Sequence, residues 1–228
     1  MKLSVLFSGG KDSTLAACLA EKEGHEILSL ATMHSSSEES YMFHYPNTWL
    51  TKLQAAAMHK RLLTSETKGI KEKELKDLEN LLKIAKKDGA QGIAAGALAS
   101  QYQYERVKRI CKKLKLKVYT PLWHIEPEDE WKMLFKYNFR VVITGVSAEG
   151  LTKEWLGKEI DENNFGKLKE LSRKYDFHLS GEGGEYETLV IDCPFFRHRI
   201  EIGEREVIWN SQSEAGWLKV KSARLADK

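Results

Sequence analysis

The sequence predicts an α/β fold: an open parallel sheet covered by helices, followed by a smaller α+β lobe. Two observations support the sheet. Short apolar runs alternate with helical patterns, and a glycine-rich loop joins the first apolar run to the first helix. A third observation supports the lobe, because after about Ser147 the chain holds one helical pattern and then mostly short β-like segments. We therefore divide the chain into residues 1–147 and residues 148–228.

The first part of the chain supplies the predicted sheet and its helices. The first strand covers Leu3 to Phe7, the first helix runs from Ser13 to a stop at Gly24, and the second strand covers Ile27 to Met33. The later elements are a helix over Lys71 to Lys87, a strand from Gly92 to Leu98, a helix around Val107 to Leu114 and a central strand from Arg140 to Val146. Ligands are expected at the carboxyl ends of these strands.

The second part of the chain is predicted to be mostly antiparallel. One helix covers Phe165 to Tyr175, and short strands follow around Ile191, Ile200 and Ile202, Val207 and Ile208, and Trp217 to Val220. The aromatic residues Trp209 and Trp217 are candidates for a subunit contact in a homo-oligomer.

Composition limits the function classes. With 228 residues, 42% of them hydrophobic, the chain can bury a substantial core. A formal charge of +3 gives no strong global attraction to membranes or nucleic acid, so neither is an expected partner. The three cysteines are far apart and lack C-x-x-C spacing, which argues against zinc sites and disulfides. No signal peptide or membrane-spanning run is apparent, and we expect a cytoplasmic protein.

Between the first strand and the first helix lies the loop Ser8-Gly9-Gly10-Lys11-Asp12-Ser13, here called the glycine loop. A loop in this position offers backbone N–H groups and the positive end of a helix dipole to a phosphate. The loop does not fit G-x-x-x-x-G-K-[ST], because Val5 stands in place of the first glycine and Asp12 in place of the Ser or Thr. It also lacks the third glycine of G-x-G-x-x-G.

Each residue type in the glycine loop suits a bound phosphate. Gly9 and Gly10 let the backbone curl around phosphate oxygens, and the hydroxyls of Ser8 and Ser13 can donate to them. Lys11 adds positive charge. Bare phosphates would repel Asp12, so we expect it to hold Mg²⁺, with a plain N-cap role as the alternative.

Two further segments hold several residues that could bind a ligand. The segment 96–106 begins at the end of a predicted strand, and its helix places Gln103 and Arg106 one turn apart. Arg106 can clamp a carboxylate or phosphate, or it can belong with its basic neighbours to a solvated face.

The segment 181–188, here called the acidic turn, holds three glycines and three glutamates. Clustered carboxylates repel one another unless a cation lies among them, which favours function over a simple turn.

The segment Ser40 to Asn47 is rich in aromatic residues and precedes a helix that Asn47 can cap. His44 is a candidate general base or substrate contact, although a lone histidine is more often structural, and the same holds for His34.

These segments together resemble the diphthine–ammonia ligase family. The glycine loop is similar to the SGGxDS pyrophosphate loop of N-type ATP pyrophosphatases, and it occurs here with SYMFHxPN (residues 40–47), GAxxSxYQxxR (residues 96–106) and EGGEYET (residues 182–188). The resemblance implies a Rossmann-like sheet of the adenine-nucleotide α-hydrolase type, with a C-terminal lobe carrying the acidic turn. It also implies amidation of diphthine on translation elongation factor 2 with ammonium and ATP, through an acyl adenylate, releasing AMP and pyrophosphate.

The resemblance and the loop chemistry together assign the site residues. The catalytic residues are Lys11, Asp12, Glu185 and Glu187, and Asp12 is the ligand of Mg²⁺. The residues assigned to ATP are Phe7, Ser8, Gly9, Gly10, Ser13, Met33 and Gly96, with the adenine against backbone near Phe7 and Met33. The residues assigned to the substrate are His44, Asn47, Ser100, Tyr102, Gln103, Arg106 and Glu182.

Two other functions stay open at this point. A tRNA-modifying ATP pyrophosphatase would share the loop, but such enzymes usually carry a cysteine pair or a basic extension, and Cys193 would have to act as the sulfur carrier. A nucleotide-binding sensor would bind ATP without splitting it.

Overall fold

The structure is a computed structural model that describes residues 1–35, 47–67, 71–96 and 101–228; within these ranges it does not describe the side chains of residues 35, 71–73 and 101–103. The described chain forms two compact units, Met1–Trp123 and His124–Lys228. The division falls earlier than the predicted boundary after residue 147, because the strand Arg140–Val146 belongs to the second unit.

The first unit is an open parallel α/β sheet, as predicted. Its elements are β1 (Lys2–Leu6), α1 (Lys11–Lys22), β2 (Glu26–Ser35), a 3₁₀ turn (Thr48–Leu50), α2 (Thr51–Ala57), β3 (Arg61–Thr67), α3 (Lys71–Lys87), β4 (Gly92–Ala94), α4 (Gln101–Lys113) and β5 (Lys117–Tyr119). The strand order is β3-β2-β1-β4-β5, and every pairing is parallel. The sequence analysis missed β3 and β5, because β3 buries only Leu63 and Thr67 and so lacks an apolar run or a two-residue alternation, and β5 has only three residues.

Helices α3 and α4 bury their apolar stripes in one cluster with the sheet. The cluster joins α3 leucines and the α4 residues Val107, Ile110 and Cys111 to side chains of β2, β3 and β4, such as Met33 and Ile93. The leucine spacing read from the sequence therefore describes the buried face of α3 correctly.

The second unit is mainly antiparallel. Its elements are α5 (Pro127–Lys136), β6 (Arg140–Val146), a 3₁₀ turn (Lys153–Trp155), β7 (Glu159–Ile160), α6 (Glu162–Tyr175), β8 (Tyr186–Asp192), β9 (Arg199–Ile202), β10 (Arg205–Asn210), β11 (Ala215–Val220) and β12 (Ala223–Ala226). One sheet has the order β10-β11-β6-β7, with β8 also paired to β6, and β9 pairs with β12. The predicted short antiparallel strands are confirmed.

The assignment of β6 to the parallel sheet was wrong. The bounds Arg140–Val146 are as predicted, but β6 pairs antiparallel with β7, β8 and β11. Six of its seven residues are buried, so it reads as a continuous apolar run. A strand covered on both faces gives this pattern in either kind of sheet, and periodicity alone does not separate them.

Local signals fix the helices of the second unit. Asp161 and Asn164 form a reciprocal capping box at the start of α6. Trp131 of α5 is fully buried, and its ring lies 5.7 Å from that of Phe135 and 5.5 Å from that of Phe165.

The residues proposed for a subunit contact, Trp209 and Trp217, are both half-buried, and an oligomer stays a prediction.

Candidate functional site

The glycine loop follows β1, where the order of the parallel sheet changes direction. From β1 the chain builds outward through β2 and β3, and then places β4 and β5 on the other side of β1. Open α/β sheets bind ligands beside the carboxyl ends of the strands at such a point. The ends of β1 and β4 therefore mark the candidate site.

Gly96, two residues after β4, packs directly on the N-terminus of α1. A Cβ atom at Gly96 would lie 2.7 Å from the carbonyl carbon of Asp12 and 2.8 Å from the backbone nitrogen of Ser13. Because those are backbone atoms, a side chain cannot push them aside, and only glycine permits this approach. The structure brings Gly96 to the glycine loop, and its contact with ATP stays a prediction.

Gly9 is fixed by a residue that the sequence analysis missed. Its φ is +84°, and a Cβ atom there would lie 2.2 Å from Oε1 of Gln54. The Gln54 Nε2 donates to the Gly9 carbonyl at 2.8 Å from a fully buried position in α2. A glutamine among the small apolar residues of α2 was the available sequence signal. Gln54 thus holds the loop backbone in a left-handed conformation.

Hydroxyl groups organise the start of α1. The Oγ atoms of Ser8 and Ser13 lie 3.2 Å apart, and the Ser8 N–H donates to Ser13 Oγ at 3.3 Å. The hydroxyls of Ser13 and Thr14 donate to the Gly10 carbonyl at 3.2 and 2.9 Å. Gly10 is the N-cap residue and has no side chain to accept the first amide hydrogens of the helix. The arrangement fits an anion such as pyrophosphate.

Lys11 and Asp12, the first two residues of α1, form an ion pair through Nζ and Oδ1. The Lys11 side chain is buried, whereas 32% of the Asp12 side chain is exposed. Since Gly10 is the N-cap, the alternative that Asp12 caps the helix was wrong. A partly exposed carboxylate beside an anion cradle fits Mg²⁺, which proteins hold through one or two carboxylates together with substrate phosphates.

The strand ends near the loop are held by hydrogen bonds between β1 and β2. Phe7 N donates to the Ala31 carbonyl at 2.9 Å, and the Thr32 hydroxyl donates to the Phe7 carbonyl at 2.7 Å. Phe7 and Met33 are buried, and the Met33 side chain belongs to the α3–α4 cluster. Adenine contacts here would be to backbone, as predicted, and they stay a prediction.

For four of the predicted substrate residues, the structure does not describe the side chain. His44 and Ser100 lie outside the described residues. Tyr102 and Gln103 belong to α4, but their side chains are not described. Their substrate roles stay predictions.

The end of β2 approaches the 3₁₀ turn that starts α2. Asn47 is the N-cap residue of that turn but makes no side-chain capping hydrogen bond, so the predicted capping role was wrong. The Nδ1 of His34 lies 3.0 Å from the Thr48 hydroxyl. Burial lowers the pKa of His34, and the Glu66 carboxylate opposes that shift. His34 is therefore uncharged and structural at neutral pH.

Arg106 lines a groove of about 250 Å³ between α3 and α4, with Arg109, Lys113 and Glu79. The ammonium groups of Lys113 and Lys83 each lie 2.8 Å from a Glu79 carboxylate oxygen, and their hydrogen bonds lower the pKa of Glu79. The position of Arg106 among other cations favours the basic-face interpretation. Its substrate role stays a prediction.

In and beside the acidic turn, backbone N–H groups donate hydrogen bonds to one of its carboxylates. Glu185 accepts hydrogen bonds from the backbone N–H of His178 at 2.9 Å and of Gly183 at 2.7 Å. The Ser147 hydroxyl donates to the Gly184 carbonyl at 2.6 Å, which ties the turn to the end of β6. Glu185 therefore stabilises the turn, a role that the sequence analysis did not anticipate.

Glu187 and Glu182 have other surroundings. Glu187 lies in β8 opposite Gly145 of β6, where a Cβ atom on the glycine would be 3.1 Å from the Glu187 Cβ. Glu182 is half-buried in the turn. Within the described ranges, no three His, Cys, Asp or Glu side chains converge to hold a metal ion. The catalytic and substrate roles of these glutamates stay predictions.

All three cysteines, Cys18, Cys111 and Cys193, are buried, and none of them forms a disulfide. Burial raises the pKa of Cys111 and of Cys193 to about 12. The thiolate is the reactive form of cysteine, and burial disfavours that form in both side chains at neutral pH. This counts against Cys193 as a sulfur carrier.

Comparisons with known proteins agree with the motifs. The family models described as the diphthamide synthase N-terminal and C-terminal domains match residues 1–118 and 126–226. The protein named diphthine–ammonia ligase in Bos taurus is 34% identical over 100% of this chain and 94% of its own length, and the human protein of that name gives the same figures. The Schizosaccharomyces pombe protein of that name is 33% identical over 97% of this chain and 39% of its own length.

A solved structure described as a predicted subunit of tRNA methyltransferase from Methanocaldococcus jannaschii covers 85% of this chain and 98% of that chain, with a TM-score of 0.46 and 15% identity, too low to bear on fold or function. No helix in the described parts of the chain is both long enough and apolar enough to cross a membrane. The two family models and the full-length relatives show that the chain belongs to the diphthine–ammonia ligase family.

Proposed function

We propose that this chain is an AMP-forming acid–ammonia ligase that amidates diphthine on translation elongation factor 2, using ATP and ammonium. The observation that carries the proposal is the packing of Gly96 on the start of α1, beside the glycine loop at the switch point of the sheet. Family membership supplies the substrate, since the relatives are named for diphthine and ammonia.

The glycine loop is proposed to hold the pyrophosphate portion of ATP. The first amides of α1 have no capping side chain at Gly10, and the hydroxyls of Ser8 and Ser13 lie beside them. Hydrogen bonds from fixed donors become stronger as charge develops on the leaving pyrophosphate. The loop therefore lowers the barrier for cleavage between the α- and β-phosphates.

The chemistry requires activation of an unreactive acid. The diphthine carboxylate oxygen attacks the α-phosphorus, the bond from this phosphorus to the bridging oxygen breaks, and pyrophosphate leaves. Ammonia then attacks the acyl carbon of the adenylate, AMP leaves with its oxygen, and the nitrogen loses a proton. The first step makes the carboxylate oxygen part of AMP, a good leaving group, and the second step expels it, which is how ATP drives amide formation.

Asp12 is the proposed metal ligand. When bound, Mg²⁺ would neutralise phosphate charge, and the exposed part of the Asp12 carboxylate can reach it. The ion pair with buried Lys11 fixes the position of this carboxylate in the first turn of α1.

The acidic turn is proposed to serve the cationic parts of the reaction. Glu182 and Glu187 are the proposed contacts for the trimethylammonium group of diphthine or for ammonium, because carboxylates attract these cations. Glu185 shapes the turn through its two backbone hydrogen bonds. Its proposed contribution to catalysis is therefore indirect: it shapes the turn that positions Glu182 and Glu187.

One assay tests the proposal. The purified protein is incubated with ATP, Mg²⁺, ammonium and diphthine-bearing elongation factor 2, and AMP release and amidation of the factor are both measured. We expect the two products in equal amounts. AMP release with a tRNA but not with the factor would support the tRNA-modifying alternative, and ATP binding without turnover would support a sensor.

Asp12→Asn adds a residue-level test. We expect turnover to fall at least about a hundredfold, because the variant loses the carboxylate proposed to hold the metal. Asp88→Asn is the matched control, since in the described part of the chain the Asp88 side chain forms a surface ion pair with Arg61. Equal activity of the two variants would remove the proposed role of Asp12.

A further inference from the structure

The second unit contains a cavity of about 510 Å³ that neither the glycine loop nor the acidic turn lines. Its walls come from β6, β7, β8, β9 and the first residue of β10. This volume lies within the range of pockets that hold small organic molecules, about 300 to 1,000 Å³.

The floor of the cavity is apolar and well packed. Val142, Ile191 and Ile200 line it, and each is buried in the fold. Because each of the three is more than nine-tenths buried, they offer a ligand a small preformed apolar contact, enough for a compact apolar body.

Two arginines at the cavity are held in place by glutamates. Arg140 donates through Nε and Nη2 to the two carboxylate oxygens of Glu159, both at 2.8 Å. Arg199 donates through Nη2 to Glu201 at 3.0 Å. These bonds orient the guanidinium groups and leave Nη1 of Arg140, and Nε and Nη1 of Arg199, able to donate to a ligand.

Arg205 differs from the other two arginines. Its Cζ lies 4.0 Å from where a Cβ atom on Gly157 would be, and Gly157 also lines the cavity. Arg205 is exposed, and among the described residues it forms no ion pair of the kind that holds Arg140 and Arg199, so its guanidinium can turn toward a ligand. Three arginines and two glutamates line the cavity, so its lining carries one more positive than negative charge.

We propose that this cavity binds an organic oxyanion, a phosphate or carboxylate attached to a compact apolar body. The oxyanion contacts Arg205 and the remaining donors of Arg199 and Arg140, because a guanidinium fork matches both groups in bidentate fashion. The apolar body lies on Val142, Ile191 and Ile200. The site is separate in its residues from those proposed for ATP and for diphthine.

The test uses phenyl phosphate, benzoate and inorganic phosphate as probes of the full chain. The methyl NMR signals of Ile191, Ile200 and Ile202 report on the cavity itself, independently of any phosphate bound by the glycine loop. We expect saturable shifts with phenyl phosphate or benzoate, and the tighter of the two identifies the anion class. Inorganic phosphate should bind about tenfold more weakly, because it gains nothing from the apolar floor.

Arg205→Ala should weaken the better probe about tenfold, the cost of losing a charge-assisted hydrogen bond. Arg205 makes no ion pair within the described chain, so the variant is expected to fold, and an unchanged melting temperature checks this. Arg197→Ala, at an exposed arginine outside the cavity, is the matched control and should bind as wild type. Absence of methyl shifts with all three probes, or equal affinities of the two variants, would overturn the proposal.

Discussion

The glycine loop and the acidic turn both combine glycines with charged residues, yet they use their hydrogen-bonding groups in opposite ways. In the glycine loop the N-cap is Gly10, so no side chain of that residue occupies the first amides of α1. In the acidic turn, Glu185 itself accepts two backbone N–H groups. Ser8 and Ser13 also form hydrogen bonds within the loop, but Gly10 leaves the first amides of α1 without a capping side chain. In the turn, by contrast, the Glu185 carboxylate accepts the local N–H groups itself.

The difference teaches that a glycine-rich charged motif does not by itself reveal which groups serve a ligand. Gly9 and Gly96 are required because other parts of the chain, Gln54 and the start of α1, approach them closely. The glutamates of the acidic turn are alike in the sequence, but the structure separates Glu185 from Glu182 and Glu187. Each prediction below tests one side of this comparison.

Among the variants that compare the loop with the turn, the largest effect is expected from Gly9→Ala. Its Cβ would collide with Gln54, and its φ of +84° is unfavourable for alanine by about 1 kcal/mol. We expect affinity for a non-hydrolysable ATP analogue, measured by calorimetry, to fall at least about tenfold, because the loop backbone must move.

Gly24→Ala is the matched control. Gly24 has a φ of +80° but nothing within 4 Å of its Cβ position, so the variant carries the backbone cost without the collision. We expect only the backbone cost of about 1 kcal/mol in stability, and unchanged affinity for the analogue. If both variants bind equally well, close packing at Gly9 does not shape the nucleotide site.

The N-terminal part of the site was predictable because its signals are local. A strand, a glycine loop and a helix follow one another within 22 residues, and Gly24 ends α1 as the sequence indicated. The bounds of α3 and β6 also follow from their own apolar patterns.

The unpredicted features depend on distant residues or on geometry within a turn. Gln54 contacts Gly9 across 45 positions, and no pattern near Gly9 specifies such a partner. The sheet to which β6 belongs depends on its partners β8 and β11, which lie far along the chain. The hydrogen bonds from backbone N–H groups to the Glu185 carboxylate depend on the conformation of the folded turn. The sequence EGGEYET alone does not specify that conformation.

A medium effect is expected from Glu185→Ala in the acidic turn. The variant removes the acceptor for the N–H groups of His178 and Gly183, and water replaces it in part because both bonds are exposed. We expect the free energy of unfolding to fall by about 1 kcal/mol, measured by urea denaturation. Glu182→Ala is the matched control and should stay within about 0.5 kcal/mol of wild type. An equal loss in both variants would contradict the special role of Glu185.

The smallest effect is expected from pH, and it concerns the end of β2 near the loop. Burial lowers the pKa of His34 in the folded chain below 6.5, its ordinary value in the unfolded chain. Between the folded-state and the unfolded-state pKa, the unfolded chain therefore binds the proton more readily. The contribution of His34 to stability is therefore complete above pH 6.5 and is lost as the pH falls through its lowered pKa.

His34→Gln should flatten the dependence of the unfolding free energy on pH below pH 6.5, measured by urea denaturation at a series of pH values. Thr48→Val distinguishes the cause, because it removes the hydroxyl 3.0 Å from Nδ1 but keeps the side chain volume. Since burial is the main cause of the shift, Thr48→Val should retain most of the wild-type slope. If Thr48→Val removes the slope as fully as His34→Gln, the hydrogen bond, and not burial, keeps His34 uncharged beside the glycine loop.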